Sequence, residues 1–160
     1  MLTLASPAAF GHAQADMTLT CSKTYADIPL AHRQPTHAGH CRFIHGHSWT
    51  IRVTFAAERL DPHGFVVDFG SLKYLAAWIE EHLDHGIMLA IDDHEAIQMI
   101  GEHRDLFKPF YVDHPSCEGL AEVVGEEFSK LVRQHEGGRV RVAKVEVWED
   151  PRNMTTFEPA

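Results

Sequence analysis

An α+β fold, with strands in hairpins beside two helices, is what this sequence predicts, and three patterns predict it. From His45 to about Ala57 the residues alternate. His45, His47, Trp49, Ile51, Val53 and Phe55 share one parity, while Ser48, Thr50, Arg52 and Thr54 take the other. That is the period of a strand with one buried face. Leu72, Leu75, Ala76, Ile79 and Leu83 recur at helical spacing, as do Leu120, Val123, Val124, Phe128, Leu131 and Val132. A β-rich run from Val140 to Trp148 closes the pattern.

In chain order, Thr18 to Tyr25 alternates weakly and reads as a first strand. It enters a polar loop through Ile28-Pro29-Leu30, and Pro35 and Gly39 mark that loop as irregular. The 45–57 strand follows. Asp61-Pro62-His63-Gly64 is a turn signal, and Phe65 to Phe69 reads as a short extended segment forming a hairpin or meander with the strand before it. The first helix ends near Asp84-His85-Gly86, with Gly86 expected as its C-terminal cap. Within 87–101, Asp92-Asp93 is expected to start a short helix, and Pro109 to Val112 reads as a third strand. Ser116 is placed to cap the second long helix, which Gly137-Gly138 stops. Glu149 to Asn153 ends the last strand. The expected sheet therefore has four antiparallel strands, whose two free edges invite subunit association.

The 160 residues fit one domain, and an apolar content of 44% is enough for a core. Residues 1–17 are expected to be a frayed or non-native tail ahead of a single domain over 18–160. Ala13-Gln14-Ala15 loosely resembles a signal-peptide cleavage site, but no basic start precedes it, and Met17 reads as the natural start. A formal charge of -9 gives no basic footprint for nucleic acid or an anionic membrane. Cys21, Cys41 and Cys117 are sparse and unpaired in spacing, which suits a reducing compartment, so a cytoplasmic location is expected. No apolar run approaches the roughly 18 residues that span a bilayer.

The chemistry concentrates between Ala31 and Trp49, where His32, His37, His40, His45 and His47 accompany Cys41. Imidazole is the commonest protein ligand of transition metals, and three of them leave a tetrahedral ion with one open position. His45 and His47 point to the same face of a strand, so both can reach one ion. The third ligand is His32, His37 or His40, and spacing alone does not choose. Cys41 is a fourth ligand that closes the site, a free thiol beside an open one, or a small buried hydrophobe. Gly46 is expected to let the backbone lie close to an ion.

The run Ala31-His32-Arg33, with Cys41 four residues ahead of His45-Gly46-His47, resembles the 6-pyruvoyl-tetrahydropterin synthase family. Its bacterial 6-carboxytetrahydropterin synthase branch, of queuosine biosynthesis, is the nearest in pattern. Further matches are Asp61-Pro62-His63-Gly64 with Val67-Asp68-Phe69, Leu83-Asp84-His85, Pro115-Ser116-Cys117-Glu118 and Trp148-Glu149-Asp150, all in the family's order from Thr18 to Asn153. The resemblance implies the tunnelling fold, a four-stranded antiparallel sheet with two helices on one face, assembled as trimers stacked into a hexamer. It implies that His32, His45 and His47 hold Zn2+, that Cys41 is the catalytic thiol, that Asp84 and His85 form a relay pair serving a neighbour's Cys41, and that Glu149 grips the pterin ring. The implied substrate is 7,8-dihydroneopterin triphosphate. The implied products are 6-carboxy-5,6,7,8-tetrahydropterin, acetaldehyde and triphosphate.

Two features depart from the shorter family members: a longer connection from Gly86 to His114, and Ser116-Cys117 where Thr usually follows the proline. The folate-pathway branch carries Glu at the position of Cys41, so the thiol argues against that branch. Ser116 and Glu118 are explained as helix-start residues without a ligand. Arg33 is either a triphosphate contact or an exposed arginine of a polar loop. Two other functions compete with the leading one: 6-pyruvoyl-tetrahydropterin synthesis, which eliminates triphosphate only, and a non-catalytic zinc-binding module in which Cys41 is a ligand.

Overall fold

The computed structural model of the chain describes residues 18–159. The expected tail over 1–17 and its candidate start at Met17 lie outside the described residues. In order, the elements are β1 (Leu19–His32), β2 (His45–Ala57), α1 (Lys73–His82), β3 (Gly86–Ala90), α2 (His94–Glu102), β4 (Pro109–Val112), α3 (Cys117–Glu136), β5 (Arg141–Trp148) and β6 (Met154–Phe157). The strands form one sheet in the order β4-β3-β1-β2-β5-β6. The β1, β2, β5 and β6 pairings are antiparallel, whereas β3 adds to β1 and β4 adds to β3 in parallel.

The expected four-stranded antiparallel sheet with two helices is thus corrected to six mixed strands and three helices. Every residue of β3 is buried, so it carries no alternation by which a strand is recognised. β3, α2 and β4 form a β-α-β crossover, the unit that parallel neighbours require, and all of it lies in the long connection after His85. β6 is four residues long and none of them is fully buried.

Parity decides where the helices go. On β2, Trp49, Ile51, Val53 and Phe55 have no accessible surface, and they share a cluster with Leu75 and Ile79 of α1 and Leu120, Val124 and Phe128 of α3. Burying a side chain such as Phe128 completely contributes on the order of 2–3 kcal/mol. Along β3 the sides divide. Met88 joins that core, while Ile87 and Leu89 pack with Ala96 and Ile100 of α2 in a second cluster. So α1 and α3 cover one face of the sheet and α2 covers the other.

β1 continues seven residues beyond the expected end at Tyr25, and it does so through a bulge. Tyr25 faces Ile51 and Ile28 faces Trp49, so β1 spends one extra residue there. Asp27 sits at φ 59° within that bulge, a left-handed conformation that Asp tolerates better than most residues. The 65–69 segment is not a strand. Its backbone is taken up by turns: Asp61 N donates to Phe65 O at 2.9 Å, the Asp61 carboxylate accepts from His63 N and Phe65 N, and Asp68 accepts from Gly70 N. Val66 and Val67 still fill the core.

Capping is as expected at α3, where Ser116 Oγ accepts from Gly119 N at 3.1 Å and Gly137 takes a left-handed φ of 66°. At α1 it differs. His85, not Gly86, holds the positive φ, and Gly86 is required because a Cβ there would lie 2.8 Å from Leu83 O. Among the described residues no helix is long and apolar enough to cross a membrane.

Two helical glycines give opposite expectations. A Cβ on Gly119 would stand 2.0 Å from His114 O, which is backbone, whereas one on Gly101 meets nothing within 4 Å. Thermal unfolding should show Gly119→Ala destabilised by about 3 kcal/mol and Gly101→Ala stabilised by roughly 0.5–1 kcal/mol.

Candidate active site

Three imidazoles converge at one end of the β1–β2 hairpin. His32 is the Cα partner of His45, and Leu30 is the partner of His47. Because of the bulge, His32 falls on the same sheet face as His45 and His47, directly beyond Trp49. The ring centroids lie 4.5 Å (His32–His45), 5.3 Å (His32–His47) and 5.0 Å (His45–His47) apart. Trp49 makes the floor, edge-on to His32 and His47, and its Nε1 donates to Leu30 O at 2.9 Å.

The tautomers follow from the acceptors. His32 Nδ1 lies 2.8 Å from Pro115 O and His45 Nδ1 lies 2.8 Å from Phe43 O. A carbonyl only accepts, so both Nδ1 atoms carry hydrogen and both rings present Nε2 to the centre. His32 is 2% exposed. Burial holds its imidazole below its ordinary pKa, opposed by the Pro115 hydrogen bond and by Glu149, so the ring is neutral at pH 7. His32 Nε2 and His47 Nε2 are both buried without a hydrogen-bond partner.

Glu149 Oε1 approaches these nitrogens, 3.1 Å from His32 Nε2 and 3.5 Å from His47 Nε2. The lone pair on His32 Nε2 faces a carboxylate oxygen, and the two repel one another unless a cation lies between them. One donor atom from each of His32, His45, His47 and Glu149 lies within 4.8 Å of the others, and this is the group among the described residues able to hold a metal ion. Nitrogen and oxygen donors in this number suit a tetrahedral Zn2+. The orphaned, buried Nε2 atoms make the fit.

Cys41 does not belong to that donor group. It sits in a single 3-10 turn, His40–Arg42, and is half-buried. It lines a cleft of about 600 Å³ with His32, His37, Ser116, Cys117 and Glu149. A second cleft of about 550 Å³ is lined by His47, Arg52, Trp148 and again Glu149, so this carboxylate is a wall shared by both. Glu149 enters by an unforeseen route: its N–H donates to Asn153 O at 3.2 Å, closing the turn between β5 and β6.

Asp84 and His85 pair with each other, Asp84 Oδ1 to His85 Nδ1 at 2.9 Å, but they lie apart from Cys41. The His85 side chain is 81% exposed, and His85 lines neither cleft. His37 and His40 stay outside the donor group; His37 Nδ1 accepts from Gly39 N at 2.9 Å. Gly46 is not needed for a close approach, since a Cβ there would meet only ordinary contacts, Leu30 O at 3.7 Å being the nearest. Arg33 is neither exposed nor free: its Nε lies 2.7 Å from Asp93 Oδ2. The carbonyl of Pro115, which orients His32 and also accepts from Gln34 Nε2 at 3.2 Å, is a working part of the site that no side-chain pattern announces.

The family model for 6-pyruvoyl tetrahydropterin synthase matches residues 20–160. A 6-carboxy-5,6,7,8-tetrahydropterin synthase of Rickettsia bellii is 34% identical over 127 residues, 78% of this chain and 90% of that relative. One of Bacillus subtilis is 39% identical over 133 residues, 82% and 80% of the two chains. Among solved structures, an uncharacterized protein of Wolinella succinogenes superposes with a TM-score of 0.78 at 20% identity, over 90% of this chain and 99% of the other. A catalytic-residue mutant of Plasmodium vivax 6-pyruvoyltetrahydropterin synthase does so with 0.65 at 15% identity, over the same shares. Those two likenesses are of fold, and the match of sequence over nearly all the described residues adds the lineage: this chain belongs to the 6-pyruvoyl tetrahydropterin synthase family.

Proposed function

We propose that this protein is a zinc-dependent lyase that converts 7,8-dihydroneopterin triphosphate to 6-carboxy-5,6,7,8-tetrahydropterin, releasing acetaldehyde and triphosphate, as in queuosine biosynthesis. The observation that carries the reading is the convergence of three imidazoles, two of which, His32 and His47, have buried Nε2 atoms without a hydrogen-bond partner, beside a cleft in which Cys41 is a separate group. The curated relatives carry the 6-carboxy name, which supports this product over 6-pyruvoyl-tetrahydropterin.

His32, His45 and His47 would hold the zinc, with Nδ1 of His32 and His45 fixed by backbone carbonyls. Bound there, zinc supplies a Lewis acid for the hydroxyl oxygens of the substrate's side chain. Cys41 takes a proton from a side-chain carbon, as a thiolate base in the same cleft. His85 carries the proton onward: Asp84 accepts from its Nδ1–H, which leaves Nε2 as the acceptor. Since His85 and Cys41 do not meet in one chain, a second copy supplies the missing half, which supports a homo-oligomer such as the hexamer of stacked trimers. Glu149 borders the cleft and accepts the pterin's amino and ring N–H hydrogens.

A closed structural site is the competing reading, and the nearness of Glu149 to the imidazoles favours it. Two variants separate them. Cys41→Ala should keep its zinc, measured by metal analysis after gel filtration, and lose at least about 1,000-fold in turnover. Zinc lost together with folding would favour the structural module. Glu149→Gln should raise KM by roughly 10- to 100-fold while zinc affinity changes less than about 10-fold. A loss of zinc as large as that of His32→Ala would make Glu149 a ligand instead. Chromatographic identification of the pterin, with acetaldehyde trapped, decides between the 6-carboxy and 6-pyruvoyl products.

A further inference from the structure

On the sheet face opposite the imidazoles, Arg33 reaches the first turn of α2. Its Nε lies 2.7 Å from Asp93 Oδ2 and its Nη2 lies 3.1 Å from Glu95 Oε2. The Asp93 side chain is 2% exposed, against 84% for Glu95. The two Asp93 oxygens divide their tasks: Oδ1 caps α2 by accepting from Ala96 N at 3.2 Å, and Oδ2 forms an ion pair with the guanidinium outside hydrogen-bond geometry.

Arg33 stands between two residues of the site. His32 precedes it on the metal face, and Gln34 follows it, with Gln34 N donating to Cys41 O at 2.8 Å. Gln34 Nε2 also donates to Pro115 O at 3.2 Å. The 33–44 loop carrying Cys41 is therefore fastened to the long connection near both of that connection's ends, at Asp93 and just past it at Pro115.

We propose that Asp93, acting through Arg33, is a positioning residue that fixes the Cys41 loop relative to the imidazoles, so that the 86–114 segment is a working part of the site. The effect on rate rests on the lyase reading; the effect on Cys41 does not.

Asp93→Asn isolates this role, because Asn caps a helix as well as Asp while the charge-assisted partner of Arg33 is lost. His32 is held by β1 pairing and by Pro115, so zinc affinity and KM should change less than about 3-fold while kcat falls roughly 10- to 100-fold. Iodoacetamide labelling of Cys41 at fixed pH, mapped by mass spectrometry, should change rate by about 5-fold or more, with Cys117 as the internal comparison. Glu95→Gln should change neither quantity.

A folded Asp93→Asn whose Cys41 labels at the wild-type rate overturns the proposal. If that variant does not fold, Arg33→Lys is read the same way, since it keeps the charge on Asp93 compensated but loses the planar fork. If the wild-type protein leaves dihydroneopterin triphosphate untouched, the lyase reading fails, and the labelling comparison still decides whether Asp93 positions Cys41.

Discussion

The extra residue in β1 between Tyr25 and Ile28 is the constraint on which the site depends. Before it, Cys21, Lys23 and Tyr25 are the residues turned toward the core side; after it, Ile28, Leu30 and His32 are. Side chains alternate with a period of two, so one added residue exchanges the faces. Without it, His32 would face away from His45 and His47, and Ala31 would stand opposite His45. Asp27, in its left-handed conformation, is where the local geometry bears that exchange.

The same exchange sets Arg33 on the face that α2 covers, so a single phase shift places both the candidate donor His32 and the ion pair behind it. The crossover of β3, α2 and β4 is then more than an added edge. Its hydrophobic cluster of Ile87, Leu89, Ala96 and Ile100 makes a back wall, from which the buried Asp93 reaches Arg33 at the base of the Cys41 loop. In front, the imidazoles of His32 and His45 are oriented by carbonyls, which do not change charge with pH. The donors are thus preorganised by backbone that the sheet and the α3 entrance hold in place.

Much of this was legible in the sequence. The parity of His45, His47 and Trp49 on a strand, the Ser116 cap and the stripe of α3 each had a direct physical signature, and α2 was anticipated from Asp92-Asp93. The bulge was not legible, because nothing about Ala26-Asp27 distinguishes an extended pair from a phase shift. Hence the residues alone left His32, His37 and His40 open. β3 was hidden by burial on both faces, β6 by its shortness, and the 65–69 segment misled because Asp61 and Asp68 satisfy its backbone as turns despite its β-branched and aromatic residues. The contact between Arg33 and Asp93 spans sixty residues of sequence, and the orienting carbonyl of Pro115 is a backbone group, so neither leaves a pattern to read.

In the proposed lyase, His32, His45 and His47 bind a divalent metal while the sulfur of Cys41 stays free of it. X-ray absorption at the zinc edge of the zinc-loaded protein tests this most directly. Zinc held in this way gives a shell of nitrogen and oxygen donors at about 2.0 Å, with the outer-shell scattering of about three imidazoles, and no sulfur. A sulfur shell at about 2.3 Å would contradict it.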